Sequence, residues 1–219
     1  MSSPPEGALP RPRPPRLYAD APRLPEGEVD LPSLVPGTEP GPLALEIGSG
    51  RGAFALAWLA HDPRARLVAL EIRLKWASLL DAQMSLRGYA GRGRSFAADA
   101  RTALPRLGPE GTVDVVFLHF PDPWWKKRHQ KRLVLGTPLV AEATRLLVPG
   151  GVFYLQTDVE ERAALYESVI GEHPGLEPAG EGGGARLAQN PYGVRSNREV
   201  RADEDGLPVY RLRFRKRPA

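Results

Sequence analysis

Five carboxylates stand at or just past the ends of short apolar runs: Glu46, Glu71, Asp99, Asp122 and Asp158. Packing has no use for acids recurring in that phase, whereas a ligand rich in positive charge or N–H and O–H donors does. One of them, Asp122, lies in the chain's densest chemical stretch, His119-Phe120-Pro121-Asp122-Pro123-Trp124-Trp125-Lys126-Lys127-Arg128-His129-Gln130-Lys131-Arg132. Prolines on both sides of the acid stiffen the backbone. Two tryptophans follow, with flat faces and N–H handles. Lys126, Lys127, Arg128, Lys131 and Arg132 then place five cations within seven residues. A lone acid, flat aromatics and dense positive charge suit a planar base carried on a phosphate backbone. The competing reading is a solvated basic helix start beside a packed Trp pair. Trp124 and Trp125 stay open between stacking on a base and filling the core.

These residues need a scaffold that brings them together, and the chain from Leu43 onward supplies one. Apolar runs predict strands at Leu43–Ile47, Leu67–Glu71, Arg94–Ala98, Val113–Phe120 and Val152–Gln156. Helical patterns fall between and after them, at Ala53–His61, Leu74–Arg87, Arg101–Leu107, Lys131–Leu147 and Glu160–Ile170. The segment His173–Asn190 is Gly-rich and reads as irregular, and Val209–Arg215 alternates like a half-exposed last strand. Strand alternating with helix means an α/β fold with a doubly wound, mostly parallel sheet. Parallel strands end at one edge, so the five acids should gather there. Residues 1–42 carry half of the 24 prolines, punctuated by Arg11, Arg13, Arg16 and Arg23. That composition predicts an arm, extended along the domain or disordered, or else touching RNA phosphates; residues 43–219 form the domain.

The turn Gly48-Ser49-Gly50-Arg51-Gly52-Ala53, between the first strand and the first helix, has the form G-x-G-x-x-A. Such a turn admits a dinucleotide or S-adenosylmethionine. Glu46, two residues before the first glycine, would repel a pyrophosphate and attract a cationic methyl donor. Glu71 suits two ribose hydroxyls, and Asp99-Ala100 stands where an adenine amino group is read.

The set Glu46-x-Gly48-x-Gly50-x-Gly52, Glu71, Asp99-Ala100, Phe120-Pro121-Asp122-Pro123-Trp124 with its Lys/Arg-His tail, and Thr157-Asp158 closely resembles the bacterial tRNA (guanine-N7-)-methyltransferases. The resemblance runs from about Leu43 to the C-terminus. It implies a Rossmann-like fold with an antiparallel last strand, S-adenosylmethionine as cofactor, and methylation of a variable-loop guanine of tRNA at N7. It also implies that Glu46, Glu71, Asp99 and Asp122 are the cofactor-site acids and Asp122 the catalytic residue. Lys126 and Asp158 match substrate contacts, and Arg128, His129, Lys131 and Arg132 match the RNA-contacting segment. The family's C-terminal Thr-x-Phe/Tyr-Glu aligns with Ser196-Asn197-Arg198-Glu199, where Arg198 replaces the aromatic, and the resemblance implies that these four residues contact the RNA substrate.

Composition narrows the rest. There is no Cys, so neither a disulfide framework nor a thiolate metal site is available, and four scattered His form no metal-binding pair. No apolar run is long enough for a membrane span. The reading is a cytoplasmic protein, monomer or homodimer, with tRNA as partner and no metal. A net charge of +4 and a basic last strand (Arg211, Arg213, Arg215, Lys216, Arg217) fit an RNA partner. The rivals are a methyltransferase of the same fold acting on another RNA or a small molecule, an NAD(P) oxidoreductase, and a non-catalytic RNA-binding module.

Overall fold

A computed structural model describes Tyr18, residues 20–121 and residues 134–218. Its elements run β1 (Val29–Asp30), α1 (Leu31–Leu34), β2 (Leu43–Ile47), α2 (Ala53–His61), β3 (Arg66–Glu71), α3 (Leu74–Leu86), β4 (Gly93–Ala97), α4 (Ala100–Ala103) and β5 (Leu107–Gly108). They continue with β6 (Val113–His119), α5 (Thr137–Leu146), β7 (Leu147–Thr157), α6 (Glu160–Gly171), β8 (Leu176–Pro178), β9 (Arg186–Leu187), α7 (Asn197–Glu204) and β10 (Tyr210–Lys216). The main sheet has the order β4-β3-β2-β6-β7-β10-β8, with β9 also on β10. Strands β4 to β7 in that order are parallel, and β10 is antiparallel to its neighbours. This is the doubly wound, mostly parallel sheet that the sequence pattern predicted, with the Rossmann-like form and antiparallel last strand that the resemblance implied.

Both faces of the sheet are covered, which is why its central strands are nearly all apolar. Leu45, Ile47, Val116, Leu118, Phe153 and Leu155 pack with Leu139, Val140 and Ala143 of α5 and Tyr166 and Ile170 of α6. Alternate residues, Ala44, Val115, Phe117 and Tyr154, face Phe54 and Leu59 of α2 and Leu80 and Met84 of α3. The two-residue period of a strand thus builds two cores from one sheet.

The expected arm ends earlier than Leu43. Val29, Leu31 and Val35 belong to the main core, and Leu31 and Val35 are 0% exposed. β1 pairs in parallel with β5, and Pro22 O accepts a 2.7 Å bond from Ala97 N at the end of β4. Arg106 donates to the carbonyls of Pro25 and Gly27. The prolines rule out long regular elements here, but the apolar residues between them still find the core, so the packed unit starts well before residue 43.

Three further differences have local causes. The helix expected from Lys131 begins at Thr137, because Gly136 is its N-cap and Pro138 fits only its first turn; Lys131, Arg132 and Leu133 lie outside the described residues. The region expected to be irregular supplies β8 and β9, short edge pieces held by β10. Helix α7 was not expected, since its eight residues are mostly charged. Its signal was present: Ser196 and Glu199 stand at capping-box spacing, and Ser196 Oγ accepts a 3.2 Å bond from Glu199 N.

Truncating Leu31 tests the revised boundary. Leu31→Ala should cost about 2–5 kcal/mol, the range for emptying a fully buried leucine site. Urea unfolding measures it; a loss under about 0.5 kcal/mol would return this segment to a surface arm.

Candidate active site

The strand order reverses between β2, which leads outward to β3 and β4, and β6, which leads to β7. At such a point the loops leave in opposite directions and open a crevice beyond the strand ends. Glu46 and the glycine turn close β2, Glu71 ends β3, Asp99 follows β4, His119 ends β6 with Phe120-Pro121 after it, and Thr157 ends β7 with Asp158 after it. Four of the five expected acids are thus on one edge. Asp122 lies outside the described residues, as do Trp124, Trp125, Lys126, Arg128, His129, Lys131 and Arg132.

A cleft of about 990 Å³ opens here. Its lining includes Glu46, Gly48, Ser49, Gly50 and Arg51 on one side and Thr157, Asp158, Asn197 and Arg198 on the other, with His119, Phe120 and Pro121 between. Glu46 is 1% exposed, and its Oε1 accepts a hydrogen bond from His119 Nδ1 at 3.1 Å. The register explains the pair: Glu46 lies beside Phe117, so His119, two residues on, shares its face. Glu46 Oε2, His119 Nε2 and Ser49 Oγ are buried without a hydrogen-bond partner among the described residues. A buried carboxylate half unsatisfied costs free energy unless a ligand completes it.

The glycine turn is held from behind. Gly48, Gly50 and Gly52 all have positive φ, the left-handed region open mainly to glycine. A Cβ on Gly52 would stand 2.2 Å from Leu80 Cδ1, so the third glycine also lets α2 lie against α3. Glu71 Oε2 accepts from Gly50 N at 2.8 Å and its Oε1 accepts from Arg73 N at 2.9 Å. This carboxylate therefore fixes the turn and keeps further lone pairs for a ligand. Asp99 caps α4 through Arg101 N, and the Arg101 guanidinium bonded to it holds its carboxyl below the usual aspartate range. Glu71, Asp99 and Ala100 lie along the same edge, outside the lining of the main cleft.

Phe120 has φ 47°, a left-handed conformation that costs a bulky residue on the order of 1–3 kcal/mol. Its N–H donates to Gln156 O at 2.7 Å, and the distortion falls where the chain leaves the sheet for Pro121 and Asp122. Beneath the cleft His119 packs 4.2 Å from Phe54 and 5.4 Å from Phe117, centroid to centroid. Tyr192 joins this aromatic layer, and burial pushes its hydroxyl up to about 12.

The aligned quartet divides. Asn197 and Arg198 are exposed on the cleft, and Arg198 donates to Asp158. Ser196 lines the cleft too, but its hydroxyl caps α7. Glu199 is 0% exposed and is engaged by Arg211 Nη2 at 2.9 Å and Asn190 Nδ2 at 2.9 Å. It is therefore not available to RNA as expected. The basic last strand also reads differently. Arg213 bonds Ala179 O, Lys216 bonds the carbonyl of Leu147 at the end of α5, and Arg217 pairs with Glu177. Because β10 is antiparallel, Tyr210 lies beside Thr157 and Arg215 beside Val152, so its cationic C-terminal end is at the edge away from the cleft.

Two residues near the site went unassigned in the sequence. His119 was quoted but given no role, since its partner appears only when β2 and β6 are known to be neighbours. Ile72, directly after Glu71, is 64% exposed, an apolar side chain left uncovered beside the proposed ribose acid.

A family model described as "Putative methyltransferase" matches residues 40–212. The chain is 38% identical over 180 residues to a tRNA (guanine-N(7)-)-methyltransferase of Myxococcus xanthus, covering 80% of this chain and 84% of that one. It is 40% identical over 180 residues to the protein of the same name from Anaeromyxobacter dehalogenans, covering 82% and 88%. The chain belongs to the tRNA (guanine-N7-)-methyltransferase family. Solved structures agree on the fold of this methyltransferase. TrmN from Thermus thermophilus superposes with a TM-score of 0.57 at 24% identity, over 85% of this chain and 47% of that one. The 16S rRNA methyltransferase KamB does so with a TM-score of 0.57 at 15% identity, over 83% and 90%. Among the described residues no helix is long and apolar enough to cross a membrane, and no group of three or more His, Cys, Asp or Glu could hold a metal.

Glu46→Gln separates binding from folding. It removes a buried charge while keeping the shape, so the melting temperature of the free protein should hold or rise. Affinity for S-adenosylhomocysteine should fall by about 1–3 kcal/mol, the scale of a lost charged hydrogen bond. Calorimetry checks both; a lower melting temperature with unchanged affinity would make Glu46 a structural residue.

Proposed function

We propose that the protein transfers a methyl group from S-adenosylmethionine to N7 of a guanine in tRNA, and that this guanine lies in the variable loop. The observation that carries the cofactor assignment is the buried Glu46 carboxylate, whose Oε2 has no partner among the described residues at the glycine turn. It fits a ligand with a cationic end and would disfavour the pyrophosphate of a dinucleotide. When bound, S-adenosylmethionine supplies an electrophilic methyl group on a sulfonium.

The chain's own residues then bind and align. Glu46 and Ser49 would hold the methionine end, Glu71 would accept from the ribose hydroxyls, and Asp99 and Ala100 would read the adenine, with Ile72 offering it an apolar wall. Guanine N7 carries a free lone pair at neutral pH, so no general base is required; alignment and charge stabilisation do the work. Positive charge moves onto the base as the methyl transfers, and a fixed carboxylate at Asp122 favours that movement. Lys126, Arg128, His129, Lys131 and Arg132 would contact the RNA, and Asp158 and Asn197 the substrate base. The tRNA substrate implies action in the cytoplasm.

The direct test is transfer of labelled methyl from S-adenosylmethionine to bulk tRNA, followed by base analysis. Label should appear in 7-methylguanine within the variable loop; label in another base, or none in tRNA, contradicts the reading. Asp122→Asn should lower the single-turnover rate by about 10²–10³ at saturating cofactor, with tRNA affinity nearly unchanged. A near-normal rate would remove Asp122 from the chemistry.

A further inference from the structure

The family's C-terminal motif carries an aromatic where this chain has Arg198, and the structure gives that arginine a partner. Its Nη2 is hydrogen-bonded to Asp158 Oδ2 across the cleft. Asp158 directly follows β7, and Arg198 lies in the first turn of α7, 40 residues away in sequence. The carboxylate is 15% exposed and the guanidinium 48%, and both line the cleft. We infer that Arg198 is a positioning residue: it sets the Asp158 carboxylate as the acceptor that reads the Watson–Crick edge of the target guanine. This inference rests on the proposed tRNA methylation.

The ion pair is not what holds α7 in place. Ser196 caps the helix, and Glu199 anchors it to Arg211 of β10 and to Asn190. β10 is itself the neighbour of β7 through six paired positions, from Tyr210↔Thr157 to Arg215↔Val152. The two walls are therefore fixed to each other without Arg198, and its hydrogen bond to Asp158 is free to serve the ligand.

The chemistry favours a base edge over a phosphate. Guanine presents adjacent N1–H and N2–H donors, so it needs an acceptor held at a set angle. A carboxylate can rotate; engaging Oδ2 with a planar guanidinium fixes its plane and leaves Oδ1 as the acceptor for the base. The same pairing offsets the Asp158 charge, so the carboxylate accepts hydrogen bonds without adding a second bare anion near the RNA backbone. Adenine presents an acceptor at N1 and would meet that oxygen unfavourably.

The experiment compares wild type with Arg198→Met, which keeps the stem and removes the fork, Arg198→Lys, Asp158→Asn, and the Arg198→Met/Asp158→Asn double variant. Melting temperature and S-adenosylhomocysteine affinity should stay at wild-type values in Arg198→Met. Its tRNA dissociation constant and salt slope should also hold, while the single-turnover rate at saturating tRNA falls about tenfold to a hundredfold. Arg198→Lys should recover part of that loss. The double variant should be no slower than Asp158→Asn alone, because Arg198 acts through that carboxylate. Additive losses, or weaker tRNA binding with a flatter salt slope, would make Arg198 a phosphate contact and overturn the inference. A fall in melting temperature that accounts for the rate loss would make it structural and overturn it too. A wild type that methylates tRNA together with an unimpaired Arg198→Met contradicts this inference alone; a wild type inactive on tRNA contradicts the proposed function and the inference with it.

Discussion

Glu46 is a carboxylate held almost wholly out of water at the end of the central strand β2, with one oxygen bonded to His119 and the other to nothing described. Leaving a buried charged oxygen unpaired costs more than the roughly 1–3 kcal/mol typical of neutral groups, and natural interiors tolerate it where a ligand makes up the difference. The crevice between β2 and β6 exists because the strand order reverses there. The glycine turn beside it keeps its shape because Glu71 fastens Gly50 and because Gly52 lets α2 approach Leu80. The rest of the sheet can be seen as the support that keeps one acid, one imidazole and one turn in register.

The opposite wall follows a different principle. There the polar groups are paired with one another: Asp158 with Arg198, Glu199 with Arg211 and Asn190. The buried members make a rigid frame, and the exposed members face the cleft. An unsatisfied wall suits a ligand with fixed charge, such as a small cationic cofactor. A self-satisfied wall suits a base that must exchange hydrogen bonds as it enters.

Much of the fold was legible because its signals are local. β2 and α2 fall at the expected residues, since an apolar run, three glycines and a second, longer apolar run need no distant partner to be recognised. What was missed depends on long-range neighbours. β8 and β9 are too short to show a period and exist through β10. Val29, Leu31 and Val35 sit among prolines, and only the tertiary structure reveals that they fill the core. The acids at the strand ends were readable from phase along the chain, but the Glu46–His119 pair required the lateral register of β2 against β6. The quartet at Ser196 shows the opposite hazard: a motif read as RNA contact contains a helix cap and a buried anchor, and half of it builds rather than binds.

The central claim is that the buried Glu46 carboxylate is completed by the ammonium group of the cofactor's methionine end. The most direct measurement is a binding cycle by calorimetry: S-adenosylhomocysteine and its deaminated analogue, each against wild type and Glu46→Gln. The account predicts that loss of the amino group weakens binding to wild type by about tenfold or more, and that most of this penalty disappears in Glu46→Gln. An equal penalty in both proteins would show that the ammonium is held elsewhere, and would contradict the account.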